Sequence, residues 1–235
     1  MPLLDRDEIC VLERQGFLLK CGFLDARGVD ALRSHVTALQ ASGAFAGAGE
    51  RSLLGSDQAL TSLALSDAML GLARQVLGQE ARPLRLILFE KQLATNWAVP
   101  WHQDVAIAVR GDVDPPGFGP RTTKDGIPHR VPPAQVLEAM LTVRLHLDDC
   151  GEAQGPLLVA PGTHRKGRLR ESDYTAAELD KAAHACVVAA GDAVLMRPLL
   201  LHASRKATQP GGRRVVHVEY AAALLPQGLE WHFAL

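Results

Sequence analysis

The strongest chemical signal in this sequence is the segment WHQD at residues 101–104. In an extended strand, side chains at positions i and i+2 point to the same face, so His102 and Asp104 would present an imidazole and a carboxylate side by side. This pair suits a divalent metal ion. Two histidines and one carboxylate on one face of an octahedron leave three coordination positions open, which is the arrangement of non-haem Fe(II) oxygenases.

An HxD pattern has low specificity by itself. The chain has nine histidines among 235 residues, and about half of one such match is expected by chance. A second match, His146-Leu147-Asp148, lies in a run of β-like sequence. A single histidine most often makes an ordinary hydrogen bond in the core or at the surface, so a metal site needs a third ligand from another part of the chain.

His202 is the best candidate for that third ligand. It ends the apolar run 199–201, after a Gly-Asp turn at 191–192 and a predicted strand at 194–196. A later strand of this kind can return beside the strand that carries His102. The other histidines fit less well, because they lie in a proline-rich loop, in turns, at the start of a strand or near the last residue: His129, His164, His184 and His232.

Arg213 follows His202 by eleven residues, just after the turn sequence QPGG at 209–212. A hairpin at that turn would bring the guanidinium back towards the metal. A guanidinium is a natural partner for a carboxylate, because its planar fork donates two parallel hydrogen bonds. Ser204, two residues after His202, would add a hydroxyl on the same face.

Strand alternation leaves open whether Arg213 or its neighbour Arg214 faces the site. Arg213 shares one face of its predicted strand with His217 and Glu219, whereas Arg214 shares the other face with apolar residues and Tyr220. Alternation by itself would point the apolar set inward. In a barrel that opens to a polar site, the face that carries Arg213 would point inward instead.

Helices are expected to dominate the first 80 residues. Apolar residues at spacings of three and four predict helices at 5–15 and 25–39, with Gly16 and Gly43 as stops, and a shorter helix at 67–77. The glycine-rich segment 42–56 is predicted to be a loop.

The pattern changes to short β-like runs from about residue 83. Turn residues separate these runs, which predicts an antiparallel sandwich or barrel. A capping box of Thr175 and Glu178 predicts one further helix, ending near residue 183. The predicted strands are 84–93, 105–109, 141–147, 157–160, 185–190, 194–196, 199–202 and 215–221.

The segment 110–133 contains six prolines and four glycines. This content argues against a sheet interior. Because β-like sequence resumes at residue 141, we expect a long loop over the domain, and a possible lid, rather than a linker. The whole chain, 1–235, is therefore predicted to form one domain.

Composition narrows the classes of function. Lys plus Arg number 25 and Asp plus Glu 26, so no basic excess indicates a nucleic-acid or anionic membrane partner. No apolar run reaches the roughly 18 residues of a membrane span. The four cysteines show no CxxC spacing, and the acidic first ten residues are unlike a signal peptide, so we expect a cytoplasmic protein.

These motifs together resemble the phytanoyl-CoA dioxygenase family of Fe(II)- and 2-oxoglutarate-dependent oxygenases. They occur in the family's order and span residues 84–222. The resemblance rests on WHQD at 101–104, GPL at 155–157, PGTH at 161–164, GD at 191–192, and His202-x-Ser204 followed by Arg213.

The resemblance implies a mainly β fold with flanking helices (α+β): a double-stranded β-helix, or jelly roll, at 83–222, with an N-terminal helical layer at 1–80. It also implies that His102, Asp104 and His202 bind Fe(II), and that Arg213 holds the distal carboxylate of 2-oxoglutarate with help from Ser204. Related halogenases lack the carboxylate ligand, so its presence favours hydroxylation.

The expected activity is that of a dioxygenase that uses Fe(II), 2-oxoglutarate and O2 to hydroxylate a small molecule, with release of succinate and CO2. The predicted pocket walls are Lys91, Asn96, Trp97, Thr142 and Arg144. Either Lys91 or Arg144 could reach the cosubstrate or an anionic substrate, and the sequence leaves this open.

Two other functions compete with this one. A non-catalytic jelly-roll protein that binds a metal or a small ligand would have no need for Arg213. A zinc hydrolase with the same three ligands would act without oxygen, but the sequence has no supporting HExxH motif.

Overall fold

In a computed structural model, the chain is described over residues 3–43, 49–50, 53–91, 96–124, 126–209 and 212–233. The first part holds α1 (Arg6–Gln15), β1 (Phe17–Lys20), α2 (Ala26–Ala41), β2 (Gly49–Glu50), α3 (Gln58–Ala64), α4 (Met69–Leu77) and β3 (Arg82–Lys91). The middle part holds β4 (Val99–His102), β5 (Ile107–Arg110), β6 (Thr122–Lys124), β7 (Ile127–Arg130), α5 (Ala134–Glu138) and β8 (Met140–His146). The last part holds β9 (Leu157–Val159), α6 (Ala176–Ala182), β10 (His184–Cys186), β11 (Ala193–Met196), β12 (His202–Ser204), β13 (Arg213–Ala221) and β14 (Glu230–Trp231).

Local capping explains why the predicted helices form where they do. Asp5 accepts a hydrogen bond from the Glu8 backbone at 2.8 Å, and the Glu8 carboxylate accepts one from the Asp5 backbone at 2.9 Å, which starts α1. The helix ends at Gly16, whose φ of 83° favours glycine. The Thr175 capping box starts α6 in the same way. All four helices predicted from the sequence are present.

The strands form three antiparallel sheets. The largest has six strands in the order β1-β11-β8-β13-β3-β2, and a second has four in the order β10-β9-β12-β4. The third, β14-β5-β7-β6, is formed by short strands. Every strand pair in the described residues is antiparallel. This α+β arrangement confirms the predicted fold class.

The central strands of the six-stranded sheet, β11, β8 and β13, are largely buried on both faces. One face packs against the N-terminal helices, and the cluster between them includes Leu12, Leu72, Val143 and Val218. The other face lines a partly open cavity towards the four-stranded sheet. All seven residues of β8 are consequently buried.

The segment 110–133 is not a single loop. It contains β6 and β7, which form a hairpin, and β7 also pairs with β5. The prediction of a long loop was wrong here. The prolines do not prevent strand pairing, because β7 pairs with β5 only through His129 and Arg130. Pro128 has a strand partner on one side alone, so its missing N–H breaks no ladder on the other side. Lys124 lines the cavity, and the closing of this segment over the site stays a prediction.

Two other predictions need correction. The run 199–201 is not part of a strand: it belongs to a turn in which the Leu200 N–H donates to the Arg197 carbonyl at 3.0 Å, and β12 starts only at His202. The apolar run reflects burial, since its three leucines are at most 1% exposed. In the predicted loop 42–56, residues 49–50 form β2, while residues 44–48 and 51–52 lie outside the described residues, as do 92–93 of the predicted strand 84–93.

Several short elements had no prediction, among them α3, α5, β1, β4 and β14. Among the described helices, each is too short or too polar to cross a membrane.

Candidate metal centre

Antiparallel pairing of β4 with β12 places His102 directly opposite His202. Asp104 follows two residues after the end of β4, and its backbone N–H donates to the Pro198 carbonyl at 2.9 Å. The three side chains predicted as ligands thus meet, and one potential ligand atom from each lies within 4.8 Å of the others. Among the described residues, no other group of three histidine, cysteine or acidic side chains meets this criterion.

The orientation of the two imidazoles fits a metal ion. The Nδ1 atom of His102 lies 2.9 Å from the Pro100 carbonyl, and that of His202 lies 2.9 Å from the Leu200 carbonyl. A proton on Nδ1 leaves the Nε2 lone pair free. The Nε2 atoms lie 3.7 Å (His102) and 3.5 Å (His202) from the Asp104 carboxylate oxygens. Two imidazole nitrogens and a carboxylate are the donor set of a non-haem iron site.

The protonation states also fit. Burial lowers the pKa of His202 to about 4, with Asp104 opposing the shift and His102 adding to it. Burial raises the pKa of Asp104, but the charges of His202 and His102 lower it by more, so it lies below its ordinary value. At neutral pH the centre therefore offers a neutral imidazole and an ionised carboxylate, the forms that bind metals.

Gln103 holds the ligand segment in place, a role that the sequence did not reveal. Its amide nitrogen donates to the Leu199 carbonyl at 2.6 Å and to the Gly167 carbonyl at 2.9 Å, and its oxygen accepts from the Leu169 N–H at 2.8 Å. Three hydrogen bonds to two separate loops fix the backbone between the two ligands of the motif.

The centre opens into a cavity of about 350 Å³ between the two larger sheets. Arg213 and Ser204 line it, as do four of the five predicted wall residues: Lys91, Trp97, Thr142 and Arg144. Asn96 does not line it. Its amide exchanges two hydrogen bonds, both 2.8 Å, with the backbone of Ala207, so it fixes a loop instead, and the prediction of a wall role for Asn96 was wrong.

Two positive side chains and a hydroxyl in the cavity wall lie close to each other. Arg213 is the register partner of Lys91 and donates to the Gly155 carbonyl. The Lys91 ammonium donates to the Ser204 hydroxyl at 3.1 Å and to the Arg205 carbonyl at 2.8 Å. Burial, followed by the charge of Arg213, lowers the pKa of Lys91 to about 8.

Arg214 points to the opposite face of β13. Its guanidinium donates two hydrogen bonds, of 2.8 and 2.7 Å, to the Asp148 carboxylate. Asp148 is thereby occupied, and His146 is buried with neither ring nitrogen hydrogen-bonded. Within the described residues the second HxD match belongs to no group of three potential metal ligands, and the arginine in the cavity is Arg213.

Sequence reasoning did not assign a role to three further cavity residues: Arg85, His217 and Glu219. His217 Nε2 and Arg85 Nη1 lie 3.5 and 3.6 Å from the Glu219 carboxylate. The signal for two of them was present, since His217 and Glu219 share the face of Arg213.

The model of a known protein family matches most of the chain. The family model for phytanoyl-CoA dioxygenase (PhyH) matches residues 12–215. No curated protein sequence matches the chain.

Solved structures share the fold at low sequence identity. EctD from S. alaskensis, solved with 2-oxoglutarate and 5-hydroxyectoine, has a TM-score of 0.72 and 20% identity over 93% of this chain and 76% of that one. HygX from Streptomyces hygroscopicus, solved with nickel and 2-oxoglutarate, has 0.69 and 19% over 93% and 87%. The α-ketoglutarate-dependent carbocyclase SnoK from nogalamycin biosynthesis has 0.70 and 18% over 93% and 84%.

Proposed function

We propose that this chain, which belongs to the phytanoyl-CoA dioxygenase family and is therefore an Fe(II)- and 2-oxoglutarate-dependent oxygenase, hydroxylates a small molecule and releases succinate and CO2. The observation that carries the proposal is that one cavity is lined by two groups. The first is the His-Asp-His group, and the second is a buried arginine with a lysine and a hydroxyl.

In this proposal His102, Asp104 and His202 hold Fe(II) through their Nε2 atoms and carboxylate. The bound iron supplies O2 activation and the oxidative decarboxylation of 2-oxoglutarate that drives hydroxylation. The chain's own contribution is to fix the ligands: backbone carbonyls set the tautomer of each imidazole, and Gln103 holds the segment between them. The presence of Asp104 supports hydroxylation rather than halogenation.

Arg213, Lys91 and Ser204 bind the distal carboxylate of 2-oxoglutarate. Their support is the clustering of two buried cations and a hydroxyl, with Arg213 only 5% and Lys91 only 3% exposed. A buried guanidinium is stabilised when a carboxylate supplies its counter-charge. A non-catalytic binding protein would have no use for this cluster, which favours the enzyme over that alternative.

We also propose the cytoplasm as the location. All four cysteines are free thiols, which supports a reducing compartment. A small-molecule substrate and O2 complete the proposed set of partners.

The test is 2-oxoglutarate turnover under air with added Fe(II), followed as succinate formation, together with Ni(II)-dependent binding of 2-oxoglutarate by calorimetry. Wild-type protein is expected to show both. His102→Ala is expected to lose metal binding and with it at least 100-fold of the turnover, because one of three protein ligands is removed.

His184→Ala is the matched control, since His184 is an exposed histidine on β10 of the same sheet. It should behave as wild type. A His102→Ala protein that still binds metal and turns over 2-oxoglutarate normally would contradict the assignment.

A further inference from the structure

The cavity extends beyond the reach of 2-oxoglutarate. Paired residues of a sheet share a face, so the register arranges the cavity wall in rows. Lys91 and Arg213 form one row, and Arg85 and Glu219 belong to another, six residues further along β13. Six residues of strand span about 20 Å, whereas the five-carbon diacid is about 7 Å long, the length of two residues of extended chain. A cosubstrate held at Arg213 therefore leaves the second row to the substrate.

The second row combines a guanidinium, a carboxylate and a hydroxyl. Thr142 pairs with Glu219 from the other side, and it lines the cavity together with Glu219 and Arg85. Arg85 Nη1 lies 3.6 Å from Glu219 Oε1, and the two side chains are 12% and 16% exposed. This separation is longer than an N–H···O hydrogen bond of about 2.7–3.2 Å. The Nε atom of Arg85 is buried, so its two terminal nitrogens are the ones that can bind a ligand.

The charge of the cavity wall favours a negative ligand beside Arg85. Among the described residues that line the cavity, five are cationic, against the two carboxylates of Asp104 and Glu219. The cations are Arg85, Lys91, Lys124, Arg144 and Arg213. Fe(II) and 2-oxoglutarate carry equal and opposite charges, so binding of both leaves the positive excess unchanged. A buried charge is costly unless another charge compensates it, and the substrate is what remains to supply negative charge.

The surroundings of Glu219 disfavour a cationic substrate. Arg144 Nη1 lies 2.8 Å from Nδ1 of His217, and it must donate because a guanidinium has no acceptor. Burial lowers the pKa of His217, so the ring is neutral and its proton is on Nε2, which lies 3.5 Å from the Glu219 carboxylate. An ammonium group that approached Glu219 would therefore meet Arg85 on one side, and Arg144 beyond His217 on the other.

Apolar side chains lie between the two rows. Ile87 and Phe89 occupy this stretch on the cavity face of β3. The apolar residues 105–107 follow the metal ligand Asp104 and also line the cavity. A ligand that reaches from the metal to Arg85 therefore needs an apolar skeleton and a charged end.

We propose that the substrate is a small organic anion, whose carboxylate or phosphate binds Arg85 and whose apolar skeleton lies along Ile87 and Phe89 towards the metal. This inference rests on the proposed function and names the substrate class for it. Thr142 donates its hydroxyl to the same anionic group, and Glu219 lies beside that group without binding it. The cavity of about 350 Å³ is near the lower limit of ligand pockets, roughly 300–1,000 Å³, so the substrate is small.

The experiment compares four probes that share one six-carbon chain: hexanoate, hexyl phosphate, hexanamide and hexylamine. Each is titrated into protein saturated with Ni(II) and 2-oxoglutarate, and its dissociation constant is measured by ligand-observed NMR. At least one of the two anions should bind wild-type protein about tenfold more tightly than hexanamide does, the contribution of one charged hydrogen bond. Hexylamine should bind most weakly. The ratio of hexanoate to hexyl phosphate affinity distinguishes a carboxylate substrate from a phosphate.

Variants assign the preference to the second row. Arg85→Met and Arg85→Gln should both remove the roughly tenfold preference for the anion over hexanamide, whereas Arg85→Lys, which keeps the charge, should retain part of it. Glu219→Gln removes a neighbouring negative charge and should tighten the anion about two- to tenfold. Arg110→Met is the matched control, because Arg110 lies on β5 with a side chain that is 56% exposed and pairs with Glu230. It should bind all four probes as wild type does.

The other outcomes overturn the inference. If hexylamine binds most tightly and Glu219→Gln abolishes its binding, the substrate is a cation held by Glu219. If no probe binds, or if wild-type protein does not distinguish the anions from hexanamide, the cavity does not select an anion. If the Arg85 variants keep the preference, the anion binds elsewhere. These outcomes leave the proposed function standing, whereas failure of wild-type protein to bind 2-oxoglutarate with Ni(II) would remove it and this inference with it.

Discussion

The positive charge that Lys91 contributes to the cavity depends on pH. Its ammonium contacts the Ser204 hydroxyl and the Arg205 carbonyl, and its pKa is lowered to about 8 by burial and then by Arg213 and Arg144. Arg144 has a lowered pKa of about 10 and stays charged at that pH. Near pH 8 the cavity therefore loses one positive charge, that of Lys91.

We expect the affinity for 2-oxoglutarate to depend on that charge. Below pH 8 Lys91 is protonated and its contribution is fully present, and as the pH rises through 8 the contribution is lost. The dissociation constant of the Ni(II)-loaded protein should rise about tenfold between pH 7 and pH 9.5, the cost of one charged hydrogen bond. Lys91→Met should show weaker binding and a flat profile, and a flat profile in wild-type protein would refute the prediction.

Individual residues were predictable where chemistry restricts the choice. His102, Asp104 and His202 follow from ligand type and strand spacing, and the structure brings them together. The choice between Arg213 and Arg214 did not follow from alternation, because both faces of β13 are buried, one by helices and one by the cavity. The hydropathy of a side chain indicates that it is buried, but not whether it is buried against helices or in the wall of a cavity.

At the scale of elements, the ion pair of Asp148 with Arg214 connects the chain just after β8 to the start of β13. The two side chains are 16% and 18% exposed, and two hydrogen bonds join them. Burial raises the pKa of Asp148, but the hydrogen bonds from Arg214 lower it by more, so it lies below its ordinary value. This ion pair stabilises the fold while leaving the metal centre untouched.

Asp148→Asn should lower the free energy of unfolding by about 1–3 kcal/mol at pH 7. Because the pKa is depressed in the folded state, the stabilisation is present above the ordinary carboxyl pKa and is lost as the pH falls through the folded value. Urea unfolding at pH 7 and pH 3 should therefore give a large and a small difference from wild type. Ni(II) affinity should be unchanged, and a loss of it would mean that the second HxD match takes part in the site.

Elements with strong local signals were predictable and those that depend on tertiary contacts were not. Capping side chains mark α1, α2 and α6 in the sequence. β7 contains Pro128 and is stable as a strand only because β5 and β6 flank it. The run 199–201 is apolar because of burial, although its backbone forms a turn.

At the scale of the whole molecule, the residues proposed to hold the metal and most of those proposed to hold 2-oxoglutarate lie on different sheets. The metal ligands are carried by β4, by the segment just after it and by β12, all in or beside the four-stranded sheet. Of the proposed cosubstrate residues, Lys91 and Arg213 are carried by β3 and β13 of the six-stranded sheet, whereas Ser204 is carried by β12 of the four-stranded sheet. In the proposed complex, 2-oxoglutarate joins the two sheets.

Hydrogen exchange should resolve the two binding steps. Ni(II) alone is expected to slow amide exchange in β4 and β12, and 2-oxoglutarate should extend protection to β3 and β13. At a ligand concentration of 100 times the dissociation constant, the added stability should be about 2.7 kcal/mol. Protection of all four strands by Ni(II) alone would argue against the separate placement of the two ligands.

The position of β13 has a consequence for how such a protein can acquire a new substrate. Because Val216 and Val218 pack against the helices while Arg213 and His217 on the same strand face the cavity, a methyl group gained or lost behind the strand would displace the guanidinium in front of it. Substitutions that alter specificity are therefore better tolerated in the β6–β7 hairpin. There, Lys124 lines the cavity from a strand that is exposed at every residue. Among orthologues, we expect the sequence of this hairpin to vary more than the sequence of β13.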